Sequence, residues 1–167
     1  PTTQSGAFFQ NTVAAWYMAK MLHDAGRGPS ENRVLQVRCE APVDVDDVVV
    51  RFERGIHYVQ VKEALAASGK AWTGLWRHFW REFERIDPDR DRLVLWGGLH
   101  TDLFRGLQAM VKRAQSVPPG PLRRQMAEYA GRLTKQQIGW LDGITAIIRD
   151  HEAEMAPDQN GGEITRS

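Results

Sequence analysis

The run Val48-Val49-Val50 limits the fold of this 167-residue chain more than any other feature. Three consecutive β-branched side chains crowd the preceding turn of a helix, yet they pack well on a pleated surface. The run continues to Phe52, and Arg54-Gly55 then makes a tight connection into a second β-type run at residues 56–61. Two such runs across a short, glycine-bearing loop predict an antiparallel hairpin. A wholly helical interaction protein is disfavoured on this ground.

The hairpin has company on both sides. Residues 34–39 form another short β-type run. Upstream, Phe8, Phe9, Val13, Trp16, Tyr17, Lys20 and Met21 recur at helical spacing, predicting a helix over residues 5–24 with Ser5 as N-cap and Gly26 as stop. Downstream, Trp72, Leu75, Trp76, Phe79, Trp80 and Phe83 predict a helix over residues 71–85 with a wide aromatic face. Leu93 to Trp96, closed by Gly97-Gly98, has the profile of a buried strand. Further helices are expected over residues 101–115, 121–133 and 134–154, with Pro118-Pro119-Gly120 breaking the first from the second. The order is αβββαβ followed by a helical extension, a mixed α/β arrangement with one mixed sheet and flanking helices. A single domain is expected over residues 1–155, with its core at about 5–100, the helical extension at about 101–155, and a flexible tail at 156–167.

Composition excludes several classes. No apolar stretch approaches the roughly 20 residues that cross a bilayer. Residues 1–6 lack the basic and apolar regions of a signal peptide, so a cytoplasmic location is expected. The single cysteine, Cys39, permits neither an internal disulfide nor a cysteine-rich zinc site, and the apolar strand positions of the run it closes suggest a buried small hydrophobe. Lys and Arg number 22 against 21 acids, a net charge of +1, which is not the footprint of a strongly basic nucleic-acid binder. Any nucleic-acid chemistry must therefore rest on local geometry.

That geometry centres on the acidic segment from Glu40 to Asp47 and on His57-Tyr58-Val59-Gln60-Val61-Lys62. Side chains alternate across a strand, so Gln60 and Lys62 share one face while Val59 and Val61 take the other. Asp47 lies at the mouth of the preceding strand, and pairing as a hairpin brings Asp47, Gln60 and Lys62 to one sheet edge. A carboxylate and an amide oxygen can ligate a hard divalent cation, which activates water and offsets charge on a phosphodiester. The lysine can orient that water and stabilise developing charge. Glu40 could add a second carboxylate or bind metal through water. A Gln-x-Lys on an exposed strand face is also common as mere solvated polarity, and aspartates are frequent in turns. The order of the flanking elements favours the site.

On these residues, positions 6–99 resemble the restriction-endonuclease-like nuclease superfamily, in its variant with Gln-x-Lys in place of Glu-x-Lys. The matching stretches are Gly6-Ala7-Phe8-Phe9-Gln10, Glu40, Asp46-Asp47-Val48-Val49-Val50 and Tyr58-Val59-Gln60-Val61-Lys62. The region is similar to the N-terminal nuclease domains of bacterial anti-phage effectors, among them cyclic-oligonucleotide-activated endonucleases and nuclease-bearing STAND NTPases. The resemblance implies Asp47 as main metal ligand, Gln60 as second ligand, Lys62 as catalytic lysine and Gln10 in a supporting role. Asp46 is an adjacent alternative to Asp47, since hairpin register is uncertain by one residue. It further implies Mg2+ (with Mn2+ as a substitute), cleavage of double-stranded DNA, and a sensing region elsewhere in a larger protein.

The remaining features each have two readings. The tryptophan-rich helix can stack bases or simply form core. Arg77, Arg81 and Arg85, four apart, could track phosphates together with Lys70, or form a solvated face diluted by Glu82 and Glu84. His57, His78 and His100 lack paired spacing for zinc, although His100 could line the site. The late helices, carrying Leu122, Met126, Tyr129, Leu133, Ile138, Leu141, Ile144 and Ile148, could cover the core or supply a dimer surface along Leu141, Ile144 and Ile148. Double-strand cutting by a one-site domain generally needs two copies, so self-association is expected. The competing function is a catalytically inactive module of the same fold, serving DNA binding or protein interaction, because the neutral Gln60 holds a cation less strongly than a carboxylate.

Overall fold

The computed structural model describes residues 2–39, 47–98, 101–116, 128–129 and 131–155. Helix α1 (Thr2–Asp24) leads into three antiparallel strands, β1 (Val34–Cys39), β2 (Val48–Phe52) and β3 (Ile56–Lys62). Helix α2 (Gly69–Phe83) then crosses to β4 (Arg92–Gly97), which pairs with β3 in parallel. Helices α3 (Asp102–Gln115) and α4 (Lys135–Met155) follow. The sheet is four-stranded and mixed, in the order β1-β2-β3-β4. The fold is thus mixed α/β, with one sheet and helices on both of its faces.

One face is closed by α1. Phe9, Val13, Ala14, Tyr17 and Met21 pack on Val34, Val48, Val50, Val59 and Val61, with Phe52, Val94 and Trp96 at the margins. Val48, Val50 and Val59 are completely buried, each burial stabilising by about 1.5–3 kcal/mol. Helix α1 starts three residues earlier than expected, because Thr2-Thr3-Gln4 contains no breaker, so Ser5 lies inside it and is not its cap. Phe8 and Trp16, which fit the apolar stripe, turn outward and are 75% and 51% exposed. The helix has no charged residue before Lys20, so hydrophobicity alone could not separate its two faces. Cys39 is exposed and not buried, because it ends an edge strand.

The opposite face of β3 and β4 is closed by the helices. Leu75 and Phe79 pack with Tyr58, Leu93 and Leu95, and Trp72 packs with Leu103, Leu107, Met110 and Ile144. The face of α2 formed by Trp72, Leu75, Trp76 and Phe79 is therefore core, whereas Phe83, at its last turn, is 45% exposed. Helix α4 begins with a reciprocal cap. Thr134 Oγ1 accepts from the Gln137 N–H at 3.2 Å, and Gln137 Oε1 accepts from the Thr134 N–H at 3.0 Å. Ile144 is buried, and Leu141 and Ile148 pack beside it. Of the apolar line considered for dimerisation, Ile144 is thus core, whereas Leu141 and Ile148 remain partly exposed beside it. The helix expected over 121–133 lies mostly outside the described residues, and residues 131–133 form a turn and bend. The expected tail, 156–167, also lies outside them. No helix among the described residues is long and apolar enough to cross a membrane.

The β2–β3 turn needs its glycine. A Cβ on Gly55 would sit 2.0 Å from the Arg90 carbonyl oxygen, so the hairpin and the loop before β4 approach through bare backbone. Just beyond, His57 lies tilted against Phe52, with ring centroids 4.3 Å apart. Burial, then the Arg92 charge, holds its imidazole below the ordinary 6.5, with Asp91 opposing weakly. The unfolded chain therefore takes up this proton first, and stability present above about pH 6.5 is lost as pH falls toward the lowered folded value. His57→Gln should accordingly lose less melting temperature than wild type between about pH 7.5 and about pH 5.5. Equal losses in the two proteins would show that His57 contributes nothing to acid sensitivity.

Candidate active site

Pairing in the hairpin builds the site. Val48 faces Val59 and Val49 faces Tyr58, so Asp47, one residue before β2, faces Gln60. Asp47 Oδ2 accepts from the Gln60 side-chain amide and from the Val61 backbone N–H at 2.6 Å. The Lys62 ammonium lies 3.7 Å from the same oxygen. On the other side, the Gln10 amide of α1 donates to the Asp47 backbone carbonyl at 2.7 Å. Asp47 thus joins three elements, α1, β2 and β3.

Lys62 is held from behind. Its carbonyl accepts from the Gly98 N–H at 3.0 Å, where β4 ends beside β3. A Cβ on Gly98 would come within 3.0 Å of Glu63 Cα and of the Phe9 ring, so glycine permits this closure. Gln60 is sealed at 4% exposure, whereas the side chains of Lys62 and Asp47 keep 32% and 21%. The carboxylate and the ammonium are therefore reachable from solvent, and the amide lies buried behind them.

Asp47, Gln60, Lys62 and Gln10 come together as one cluster. Glu40, Asp46 and His100 lie outside the described residues. Arg77 is elsewhere: its guanidinium donates to Glu154 of α4 at 2.8 Å, tying the two helices together. Arg81 follows one turn later on α2, with partners of its own, and Lys70 is exposed at the start of that helix. The Val61 N–H is a site donor that side-chain motifs could not reveal, because it belongs to the backbone.

Among the described residues no group of three or more His, Cys, Asp or Glu side chains is placed to hold a metal ion. Mg2+ does not require such a group. It retains several waters and is commonly bound through one or two carboxylates. Asp47 with the Gln60 amide oxygen fits a water-rich ion of that kind, provided Gln60 turns its amide to present oxygen in place of nitrogen. The chain matches no protein-family model, no curated protein and no solved structure.

Proposed function

We propose that the chain is a metal-dependent endonuclease that hydrolyses phosphodiester bonds of double-stranded DNA, on a restriction-endonuclease-like core. The carrying observation is the convergence of Asp47, Gln60 and Lys62 where β2 begins and β3 ends, with Lys62 Nζ 3.7 Å from Oδ2 of a solvent-reachable Asp47 carboxylate. Asp47 and Gln60 would hold Mg2+, and Mn2+ could replace it. When bound, the ion lowers the pKa of a coordinated water and withdraws charge from the phosphate. The chain's own residues do the rest. The Lys62 ammonium donates to the attacking water or to a phosphate oxygen and stabilises negative charge as the P–O bond breaks. Gln10 and the Val61 N–H fix the position of Asp47, so the carboxylate is preorganised. Cutting both strands calls for two copies, and the resemblance makes such a domain the effector of an anti-phage protein with a sensing region elsewhere.

One observation favours the inactive module. Asp47 Oδ2 already receives hydrogen bonds from Gln60 and Val61 and faces the Lys62 ammonium at 3.7 Å, an arrangement that balances its charge without metal. Gln60→Glu separates the readings by a measurement that needs no turnover. It replaces a donor with a second carboxylate facing Asp47, a like-charge pair without metal and a better cation site with it. Its melting temperature in EDTA should fall below wild type by several degrees, about 4–8 °C per kcal/mol for a small domain and less for a larger one. Millimolar Mg2+ should raise it well beyond any shift in wild type. A variant that melts identically with and without Mg2+ and Mn2+ would favour the module.

A further inference from the structure

Helix α1 covers one face of β1–β3, and α2 to α4 cover only β3 and β4 on the other. The second face of β1 and β2 is therefore open. It is lined by Gln36, Arg38, Val49, Arg51 and Ile56 in a groove of about 450 Å³ whose far rim includes Asp87 and Arg90. Strand alternation places Asp47, Val49 and Arg51 on one face. The β1–β2 register sets Arg38 against Val49 and Gln36 against Arg51. Asp47, Arg38 and Arg51 consequently share the open face.

We propose that Arg38 and Arg51 hold the phosphate backbone of the DNA strand that runs into the Asp47–Lys62 site, an inference that rests on the phosphodiesterase reading. Arg38 and Arg51 are both exposed, and neither is engaged in an ion pair with a described residue. The groove's acids are committed elsewhere. Asp91 accepts from the Ile56 and Asp87 N–H groups, Asp87 accepts from the Asp89 N–H, and Glu53 accepts from the Ser30 N–H and faces Arg33. Arg90 donates to the Arg54 carbonyl. At about 3.4 Å per residue, Arg51 stands roughly 14 Å along the strand from Asp47. Arg38 stands roughly 7 Å along and one strand over, about 4.8 Å. A DNA strand advances about 3.4 Å per nucleotide along the helix axis, so the two guanidiniums fall about two and four steps from the site.

Charged residues also guard exposed sheet edges, which would account for Arg38 on the edge strand β1. That explanation does not reach Arg51, which lies on the interior strand β2. Guanidinium forks match phosphate oxygens bidentately, and their loss weakens binding without regard to base sequence.

The test is a fluorescence-anisotropy titration of a labelled duplex of about 20 base pairs by the full chain in EDTA, repeated over a salt series. Arg38→Ala/Arg51→Ala should bind on the order of 10-fold more weakly at low salt and lower the log–log salt slope by about 2. Arg149→Ala, an exposed arginine of α4, should leave both unchanged. Wild-type affinity and slope in the double variant would overturn the groove assignment and leave the phosphodiesterase reading standing. Absence of duplex binding by wild type, at any salt, would overturn both.

Discussion

Lys62→Ala is expected to slow Mg2+-dependent DNA cleavage by about 100- to 1,000-fold, the cost of removing one donor aimed at developing negative charge. In free energy this is about 3–4 kcal/mol of transition-state stabilisation. The fold should barely notice, because Lys62 makes a part-exposed ion pair of 3.7 Å with Asp47, and such pairs are worth about 0–1 kcal/mol. Asp47→Ala is a poorer probe. It would strand the Val61 N–H and the Gln60 amide as well as remove a ligand, so lost activity and lost stability would be mixed. An unchanged cleavage rate in Lys62→Ala, with unchanged melting, would remove the lysine from the chemistry.

The second large effect concerns stability. Trp72 is 4% exposed and anchors the cluster joining α2, α3 and α4 through Leu103, Leu107, Met110 and Ile144, with Trp76 edge-on at 5.3 Å. Truncation to alanine should cost about 3–5 kcal/mol, from lost transfer energy and the cavity left behind. For a domain of ordinary stability that is a large share of the total. By contrast Phe8→Ala, at a side chain 75% exposed, should change stability by no more than about 0.5 kcal/mol. Urea unfolding of the two variants checks both values. Near-equal midpoints would mean that the tryptophan-rich face of α2 is not core, and would reopen base stacking as its role.

Local pattern made the strands legible. Val48-Val49-Val50 and the 56–61 run gave their own pairing, and alternation put Gln60 with Lys62 and Val59 with Val61. The same rule joins Asp47 to Arg51, four apart on one strand and therefore on one face. What could not be read depends on contacts distant in sequence. Gln10 meets Asp47 across 37 residues, and Arg77 meets Glu154 across 77. No periodicity encodes such pairs, so a stripe on α2 that looked solvated or phosphate-seeking is in part a bridge to α4. Helix α1 shows the converse limit. With no charge before Lys20, its inward and outward sides are nearly alike in hydrophobicity, and only packing decided that Phe9 faces in and Phe8 out. Cys39 failed for a related reason, since strand pattern does not say which strand lies at the edge.

Cleavage of supercoiled plasmid by the purified chain in protein excess, with Mg2+ and then with Mn2+, decides whether the Asp47–Gln60–Lys62 cluster is catalytic. Conversion to nicked and linear DNA, abolished by EDTA and by Lys62→Ala, is the expected result. Plasmid left supercoiled in both metals by folded wild-type protein would contradict it, and the Asp47–Gln60–Lys62 cluster would then stand as the inactive module.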